Sequence, residues 1–259
     1  MVLGASTVED ETAFCRRNET FKVTSAMSKR IHFPLWLACG LPVLLWVYTY
    51  VEKMNSVFNG PEVYREHGLV ENATNLFLLA AIVLFLVCLK KAEWLWEKLW
   101  LLILAVGAVY FLGEEISWGY HLLGYDVNEE WMALNDQKEP NFHNLTGAWE
   151  IVFDKLPRQL LSVGVVLGGL LGAYADRRES WPNRPFLRRL IPPGGTLFVA
   201  AAANLVSLPE RIGEHLFAET PRWLVLGNAS GELKECFLAL FILLYAYGLF
   251  RLFSVRVGK

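Results

Sequence analysis

Residues 69–89 have the sequence LVENATNLFLLAAIVLFLVCL, in which Glu71 is the one charged side chain and the run from Leu76 to Leu89 is entirely apolar. An α-helix rises about 1.5 Å per residue, so this stretch covers about 30 Å, the thickness of the hydrocarbon core of a bilayer. It therefore predicts a membrane-spanning helix. The whole chain of 259 residues is 54% apolar and 19% charged, which is typical of a membrane protein and not of a soluble domain.

Five further stretches are long and apolar enough to form the same structure. The six predicted spans are 33–52, 69–89, 99–122, 159–176, 191–208 and 233–254. We therefore predict an all-α, polytopic integral membrane protein, a bundle of about six transmembrane helices in one domain, residues 33–254. The remaining predicted segments are cytosolic tails at 1–32 and 255–259, and exoplasmic loops at 53–68, 123–158 and 209–232.

The distribution of basic residues indicates the orientation, because Lys and Arg near the spans are retained on the cytoplasmic side. The N-terminal tail, the loops 90–98 and 176–189, and the C-terminal end hold 16 of the 24 Lys and Arg residues but only 8 of the 26 acids. Both termini are therefore predicted to be cytoplasmic.

Composition and motifs exclude several classes of function. A net charge of −2 gives no excess of basic residues for binding nucleic acid, and four scattered cysteines are too few for a disulfide scaffold or a Cys-rich zinc site. The sequence has no phosphate loop, no Gly-x-Ser-x-Gly and no pair of histidine boxes. Serine chemistry would need a serine beside a membrane histidine, and Ser117 near His121 is the one candidate of that kind.

Ionisable side chains lie at the predicted outer ends of the spans. Glu71 begins span two, Glu114 and Glu115 lie in the last turns of span three, and Glu235 lies near the start of span six. An ionisable group at membrane depth costs at least a few kcal/mol unless it faces protein or a water-filled cavity. We therefore predict that spans two, three, five and six meet at their outer ends, with these groups and His143 in one cavity.

The loop between spans three and four contains NDQKEPNFHN, residues 135–144. In an extended conformation, a period of two places alternate hydrogen-bonding and metal-competent side chains on one side. That row is Asn135, Gln137, Glu139, Asn141 and His143. A loop stapled by its own amides is the structural alternative. The apolar residues of 149–156 recur with helical spacing, which predicts an interfacial amphipathic helix that holds the loop as a lid.

Two resemblances follow from these motifs. With GEEISWG at 113–119 and the NxQxExNxHN pattern at 135–144, the chain is similar to bacterial multi-span membrane proteins to which no function is assigned. That likeness implies a protein of the bacterial inner membrane. Over Glu71 to Asn75 the chain also resembles, more weakly, the alkaline-ceramidase-like membrane hydrolases. Those enzymes carry a zinc-binding histidine set that includes His-x-x-x-His, which this sequence lacks, so no catalytic residue is carried over.

The residues favour an integral membrane enzyme, hydrolase-like, with a polar and metal-assisted site at the outer leaflet that acts on a lipid or lipid-linked substrate. The candidate catalytic residues are Glu114, Glu115, His121 and His143. The candidate substrate-binding residues are Trp118, Asn135, Gln137 and Asn144. Carboxylate and imidazole donors suit zinc, manganese or iron. The candidate ligands of such a divalent metal are Glu71, Glu114, Glu139 and His143. Membrane lipids are the predicted partners.

A second hypothesis from the same residues is a non-enzymatic subunit or assembly factor of a larger membrane complex, which would bind other membrane subunits. Its buried polar network would then fix the register of the helices, with Glu114 and Glu115 as network members and Trp118 as a packing residue. A transporter is the third hypothesis, although the two halves of the chain show no convincing repeat.

Overall fold

A computed structural model describes residues 36–59, 68–135, 138–178, 185–217, 221 and 226–254, and within these ranges the regular structure is helical. The helices in chain order are α1 (Leu41–Asn59), α2 (Leu69–Lys91), α3 (Leu95–Glu115), α4 (Tyr120–Leu123), α5 (Glu129–Ala133), α6 (Ala148–Arg177), α7 (Pro185–Leu190), α8 (Thr196–Leu205), α9 (Leu208–Leu216) and α10 (Asn228–Ser254). A π-helical turn, Trp36–Gly40, precedes α1. The predicted tails, 1–32 and 255–259, lie outside the described residues.

Four of these helices, α2, α3, α6 and α10, are long and apolar enough to cross a membrane. The prediction of an all-helical, multi-pass membrane protein is thus confirmed at that level. The count of about six spans is not confirmed, because predicted spans one and five are not among these four helices. Each of these two differences has its own physical cause.

Predicted span five, 191–208, is broken. Its helix α8 has only 10 residues, about 15 Å of helix, which is half the thickness of the hydrocarbon core. The chain turns at Val206 and Ser207, and α9 then begins with a proline at its N-terminus, where the missing backbone N–H is tolerated. The described part of predicted span one, 36–52, comprises the π-helical turn Trp36–Gly40 and the first part of α1. The last turns of α1 are polar and contain Glu52 and Lys53.

The predicted interfacial helix at 149–156 is also corrected. Residues 148–177 form one continuous helix of 30 residues, so this segment is the first part of α6 and not a separate surface helix. A proline disfavours helical geometry in the residue before it, and Pro157 directly follows Leu156. Nevertheless, a π-helical turn at Ile151–Lys155 leads directly into the α-helical part that begins at Leu156.

Helix α10 is the centre of the bundle. About 67% of its apolar stretch is buried inside the protein, against 17 to 33% for α2, α3 and α6. It packs against α1, α2, α6 and α8. The close approach of α6 to the backbone at Pro192 depends on a small residue, since a Cβ on Gly172 of α6 would collide with the carbonyl oxygen of Pro192. The remaining faces of α2, α3 and α6 carry exposed Leu and Val side chains, as expected for helices in lipid.

The two ends of the bundle differ in chemistry. At one end, here called the cavity end, α2, α6 and α10 begin and α3 finishes, and Glu71, Glu115 and Glu235 lie there. At the other, the basic end, α2 finishes at Lys90 and Lys91, and α7 contributes its arginines. The loops of the cavity end form the candidate site.

Candidate functional site

A strained turn ends α3. Ser117, Trp118 and Gly119 have φ values of +46°, +54° and +82°, so three consecutive residues adopt the left-handed conformation. This conformation costs non-glycine residues roughly 1–2 kcal/mol each. The surrounding contacts must therefore stabilise the turn, and strain of this kind is concentrated at functional sites.

The side chain of Trp118 folds back onto the helix that it follows. A Cβ at Gly113 would lie 2.8 Å from Cζ3 of the Trp118 ring, so only glycine leaves room for the ring at that position. The indole N–H donates a 2.7 Å hydrogen bond to Oε1 of Glu114. Phe142, from the loop, makes a T-shaped contact with the Trp118 ring at a centroid distance of 6.1 Å. Trp118 therefore packs between α3 and the loop.

Glu114 fixes the loop to the end of α3. Its Oε2 accepts hydrogen bonds from the backbone N–H groups of Phe142, at 2.7 Å, and His143, at 2.8 Å, and lies 3.1 Å from Nδ1 of His143. Oε1 accepts the Trp118 indole, and the residue is only 4% exposed. This buried carboxylate thus accepts three N–H donors, and buried polar groups are stabilised by such hydrogen bonds. These contacts give Glu114 a structural role.

The loop is also stapled by its own amides. The side-chain amide of Asn135 donates to the backbone oxygen and to Oδ1 of Asn141, both at 2.8 Å, and its Oδ1 accepts the backbone N–H of Glu139 at 3.2 Å. A bridge between Asn135 and Leu145 closes the loop. The extended row predicted for 135–143 is therefore wrong, because the chain turns back at Lys138, where φ is +57°. Gln137 lies outside the described residues.

A second carboxylate, Glu139, links the loop to the strained turn. Its Oε2 accepts hydrogen bonds from the hydroxyl of Ser117 and, at 3.1 Å, from the side-chain amide of Asn141. Its Oε1 lies 3.0 Å from Nε2 of His121. The same Asn141 amide nitrogen is 3.3 Å from the Ser117 oxygen. Serine, glutamate and histidine thus form one connected chain of polar contacts.

These groups surround a cavity of about 1160 Å³ between α1, α2, α3, α6, α10 and the loop. The predicted site residues in its lining are Glu71, Glu114, Glu115, His121, Glu139, His143, Asn144 and Glu235. The predicted meeting of Glu71, Glu114, His143 and Glu235 in one cavity is therefore confirmed. The predicted contribution of span five to the cavity is not confirmed, because no described residue of α8 or α9 lines it. Lys53 and Ser56 of α1 line the cavity instead. Trp118 and Asn135 are not part of the lining.

Arg158 is the lining residue that sequence reasoning missed. Its guanidinium lies 2.7 Å from Oδ1 of Asp154 and 3.3 Å from Oε1 of Glu235, so it joins α6 to α10. The signal was an arginine followed by an apolar span. The predicted interfacial helix ended at residue 156, and Arg158 was counted only as part of the exoplasmic loop 123–158.

An apolar groove of about 300 Å³ adjoins the cavity. Side chains of α3, α6 and α10 line it, with Gly107, Phe111, Leu161 and Ile242 along its length. Five polar residues line both the groove and the cavity. They are Glu114, Glu115, His143, Arg158 and Glu235.

The predicted metal site is not formed in the part of the chain that the structure describes. There, no group of three or more His, Cys, Asp and Glu side chains is placed to hold a metal ion. Of the predicted ligands, Glu114 and His143 bond to each other, Glu139 bonds to Ser117 and His121, and Glu71 lies on α2. The carboxylate oxygens of Glu114 and Glu139 are directed at protein donors and not at a shared point.

Comparison with known proteins gives no relative for this arrangement: no family model, no curated protein and no solved structure matches the chain. The two resemblances based on motifs therefore stay predictions, and the function must be argued from the site itself.

Proposed function

We propose that this protein is an integral membrane enzyme that acts on a lipid or lipid-linked substrate. One observation supports this most directly: five ionisable side chains line both the polar cavity and the apolar groove, so the two spaces adjoin each other. An amphiphilic molecule has the matching chemistry, with a head group for the cavity and an acyl chain for the groove. Pockets of roughly 300–1,000 Å³ are typical of small-molecule sites.

The charges in the cavity favour a zwitterionic head group. Glu115, Glu232 and Glu235 line the cavity, and Arg158 lines both the cavity and the groove. In phosphatidylethanolamine the ammonium group would face the carboxylates, and the phosphate, which is nearer the acyl chains, would face Arg158. Guanidinium groups suit phosphate because they present paired N–H donors.

The orientation is part of the proposal. We place the basic end in the cytoplasm of a bacterial cell, with both termini on that side and six crossings in total, of which the fifth consists of α8 and α9. The cavity then faces the outer leaflet of the inner membrane. The concentration of Lys and Arg at the opposite end supports this arrangement.

A labelling experiment tests the orientation. One cysteine at a time, at Lys138 or at Lys98, would be introduced into a chain in which Cys15 and Cys39 are replaced by alanine and the fully buried Cys88 and Cys236 are kept. Intact cells would then be treated with an impermeant maleimide. We expect labelling at 138 and protection at 98. Protection at 138 with labelling at 98 after the same treatment would reverse the orientation and place the cavity at the inner leaflet.

A crosslinking experiment tests the substrate class. The purified full-length protein would be reconstituted in phosphatidylcholine vesicles that contain phosphatidylethanolamine with a diazirine on one acyl chain. We expect crosslinks at the groove residues of α3 and α6. Gly107→Leu should reduce them, since a Cβ at Gly107 has open space and the longer side chain would fill the groove.

Gly164→Leu is the matched control. Gly164 lies on α6, its added Cβ also meets nothing within 4 Å, and it lies outside the groove lining. Crosslinking of this variant should equal that of the parent. If Gly107→Leu and Gly164→Leu crosslink alike, no acyl chain occupies the groove, and the hypothesis of a complex subunit gains support, particularly if other membrane proteins co-purify. A transporter would instead move the intact lipid, so that its unchanged head group is exposed on the opposite side of the vesicle membrane.

A further inference from the structure

The connected chain of Ser117, Glu139 and His121 has the arrangement of a nucleophile, a base and an orienting group. We propose that Ser117 is the nucleophile of an acyl-transfer site that cleaves an ester or amide bond of the lipid, with Glu139 as general base and His121 as the residue that positions Glu139. This inference rests on the proposed function, and it assigns the attack on the lipid substrate to one atom, the hydroxyl oxygen of Ser117.

The local geometry supports this role. The Ser117 hydroxyl donates to Oε2 of Glu139, so the base already accepts the proton that it would remove. The opposite oxygen of Glu139 is held by His121, whose side chain is 47% exposed toward the cavity. The base is thus itself oriented by a third group, which is the general signature of an activated nucleophile.

The backbone at Ser117 is a second, independent observation. A serine with φ of +46°, followed by a tryptophan with φ of +54°, is strained, and glycine would relieve the strain at either position. The turn directs the Ser117 oxygen at Glu139 and Asn141 at the edge of the cavity. Sharp, strained turns that present a serine to a substrate are known from other hydrolase folds, where they expose the nucleophilic oxygen.

The proposed step balances as follows. The Ser117 oxygen attacks the carbonyl carbon of the substrate, and its proton moves to Oε2 of Glu139. As the bond to the leaving group breaks, Glu139 returns this proton to the leaving oxygen or nitrogen, and the acyl group remains on Ser117. Water then attacks the acyl carbon, gives its proton to Glu139, and the free acid leaves as Ser117 regains a proton.

Asn141 supplies a hydrogen-bond donor for this chemistry. Its side-chain nitrogen lies 3.3 Å from the Ser117 oxygen and 3.1 Å from Oε2 of Glu139. The oxyanion that forms on the attacked carbon lies close to the Ser117 oxygen, within reach of this amide. Loss of one such donor typically lowers the rate about 100- to 1,000-fold.

An alkyl fluorophosphonate is a direct probe of the serine. Its phosphorus bonds to an activated serine oxygen, fluoride leaves, and the serine proton is taken by the base. The purified full-length protein would be treated in phosphatidylcholine vesicles and analysed by intact mass and peptide mapping. We expect one adduct, on Ser117. No adduct, or an adduct only on another serine, would overturn the proposal.

Variants distinguish whether Ser117 is labelled because Glu139 activates it or only because the probe can reach it. Ser117→Ala should abolish labelling, while Ser162→Ala should leave it unchanged, since Ser162 lies on α6 outside the lining of both the cavity and the groove. Glu139→Gln keeps the shape but removes the base, and should slow labelling by about 100-fold or more. If Glu139→Gln is labelled at the parental rate, Glu139 is not the base and the proposal fails.

His121 acts through Glu139, so it needs a graded test. His121→Gln retains an N–H donor for Oε1 of Glu139, whereas His121→Leu does not. We expect labelling of the Gln variant within about 10-fold of the parent and a larger loss for the Leu variant. Equal rates in both would remove His121 from the proposal. Thermal unfolding of every variant shows whether a loss of labelling comes from unfolding.

The two proposals fail in different ways. Groove crosslinking by the diazirine lipid without an adduct on Ser117 would leave a lipid-binding cavity and overturn the serine mechanism. An adduct on Ser117 without crosslinking in the groove would overturn the lipid substrate, and leave a reactive serine that acts on a different, less apolar molecule.

Discussion

The two ends of the bundle use the same kinds of side chain for different purposes. At the basic end, Glu97 of α3 and Arg189 of α7 form an ion pair in which both side chains are only 5% exposed. The guanidinium carbon of Arg189 also lies 4.8 Å from the centre of the Phe253 ring, and the hydroxyl of Tyr245 donates to the Arg189 backbone oxygen at 2.7 Å. This pair is sealed among packed residues.

At the cavity end, the ion pair of Arg158 and Glu235 borders open space. The Arg158 side chain is 40% exposed and that of Glu235 is 21% exposed, and both line the cavity. A sealed pair is a fixed part of the packing, because removal of one partner leaves a charge with no water to solvate it. A pair beside a large cavity can exchange its partner for water or for a substrate. Both pairs join an arginine to a glutamate, and they differ in how accessible those side chains are.

The largest expected effect is at the sealed end. Arg189→Met leaves Glu97 buried without its partner, which should lower the free energy of unfolding by about 3–5 kcal/mol. The measurement is unfolding in mixed detergent micelles. The double variant Glu97→Met with Arg189→Met should recover most of the loss, because a packed apolar pair needs no desolvated charge. A double variant as unstable as the single one would show that the loss comes from packing and not from charge.

The next effect is at Glu114. Glu114→Gln replaces one accepting oxygen with an N–H₂ group that faces the donors of Trp118 or of the loop, which should cost about 2–3 kcal/mol. Hydrogen exchange at the amides of Phe142 and His143 should become faster, since these donate to Glu114. Glu115→Gln is the neighbouring control, and exchange at the two amides should not change in it. Unchanged exchange in Glu114→Gln would contradict the structural role.

A smaller effect is expected from the fit of Trp118 on α3. Gly113→Ala places a methyl group 2.8 Å from the Trp118 ring, which must move, at an expected cost of about 1–2 kcal/mol. Gly107→Ala, in the same helix, meets nothing within 4 Å and should be neutral or slightly stabilising. Thermal unfolding of both variants measures the difference. Equal midpoints would mean that the ring does not pack on Gly113.

The smallest effect on stability is expected at the open ion pair. Arg158→Gln should lower the free energy of unfolding by less than about 1 kcal/mol, because exposed pairs contribute little. The same variant should reduce crosslinking of the diazirine lipid, since it removes the proposed phosphate contact. A loss as large as that of Arg189→Met would show that the cavity end is as sealed as the basic end, and the comparison would no longer hold.

Much of the site was predictable because its residues are chemically unusual for their positions. Carboxylates such as Glu71 and Glu114 within apolar spans indicated an inward-facing cavity, and the cavity contains them. The amides of the loop predicted either a row of ligands or an internal staple, and the contacts of Asn135 correspond to the staple. The direct link from Ser117 to Glu139 could not be predicted, since it depends on a turn whose left-handed conformation no motif specifies.

The errors in the fold have a common cause. Hydropathy measures whether a segment is apolar, but not whether its helix continues. It therefore counted α8 with its short flanks as a span, although that helix ends after 10 residues. It also separated residues 149–156 from the span that they begin, although a π-helical turn connects them. Continuity depends on backbone hydrogen bonds around prolines and polar residues, which neighbouring helices help to satisfy.

The sequence by itself determined that the chain is a helical membrane protein and that its ionisable groups face inward, because burying backbone and charge in lipid leaves few other solutions. Only the tertiary structure decided the role of each group. Glu114 and Glu115 are neighbours with the same side chain, yet packing directs one to the loop amides and leaves the other at the cavity wall. Such differences arise from contacts between residues distant in sequence, and composition and periodicity carry no information about them.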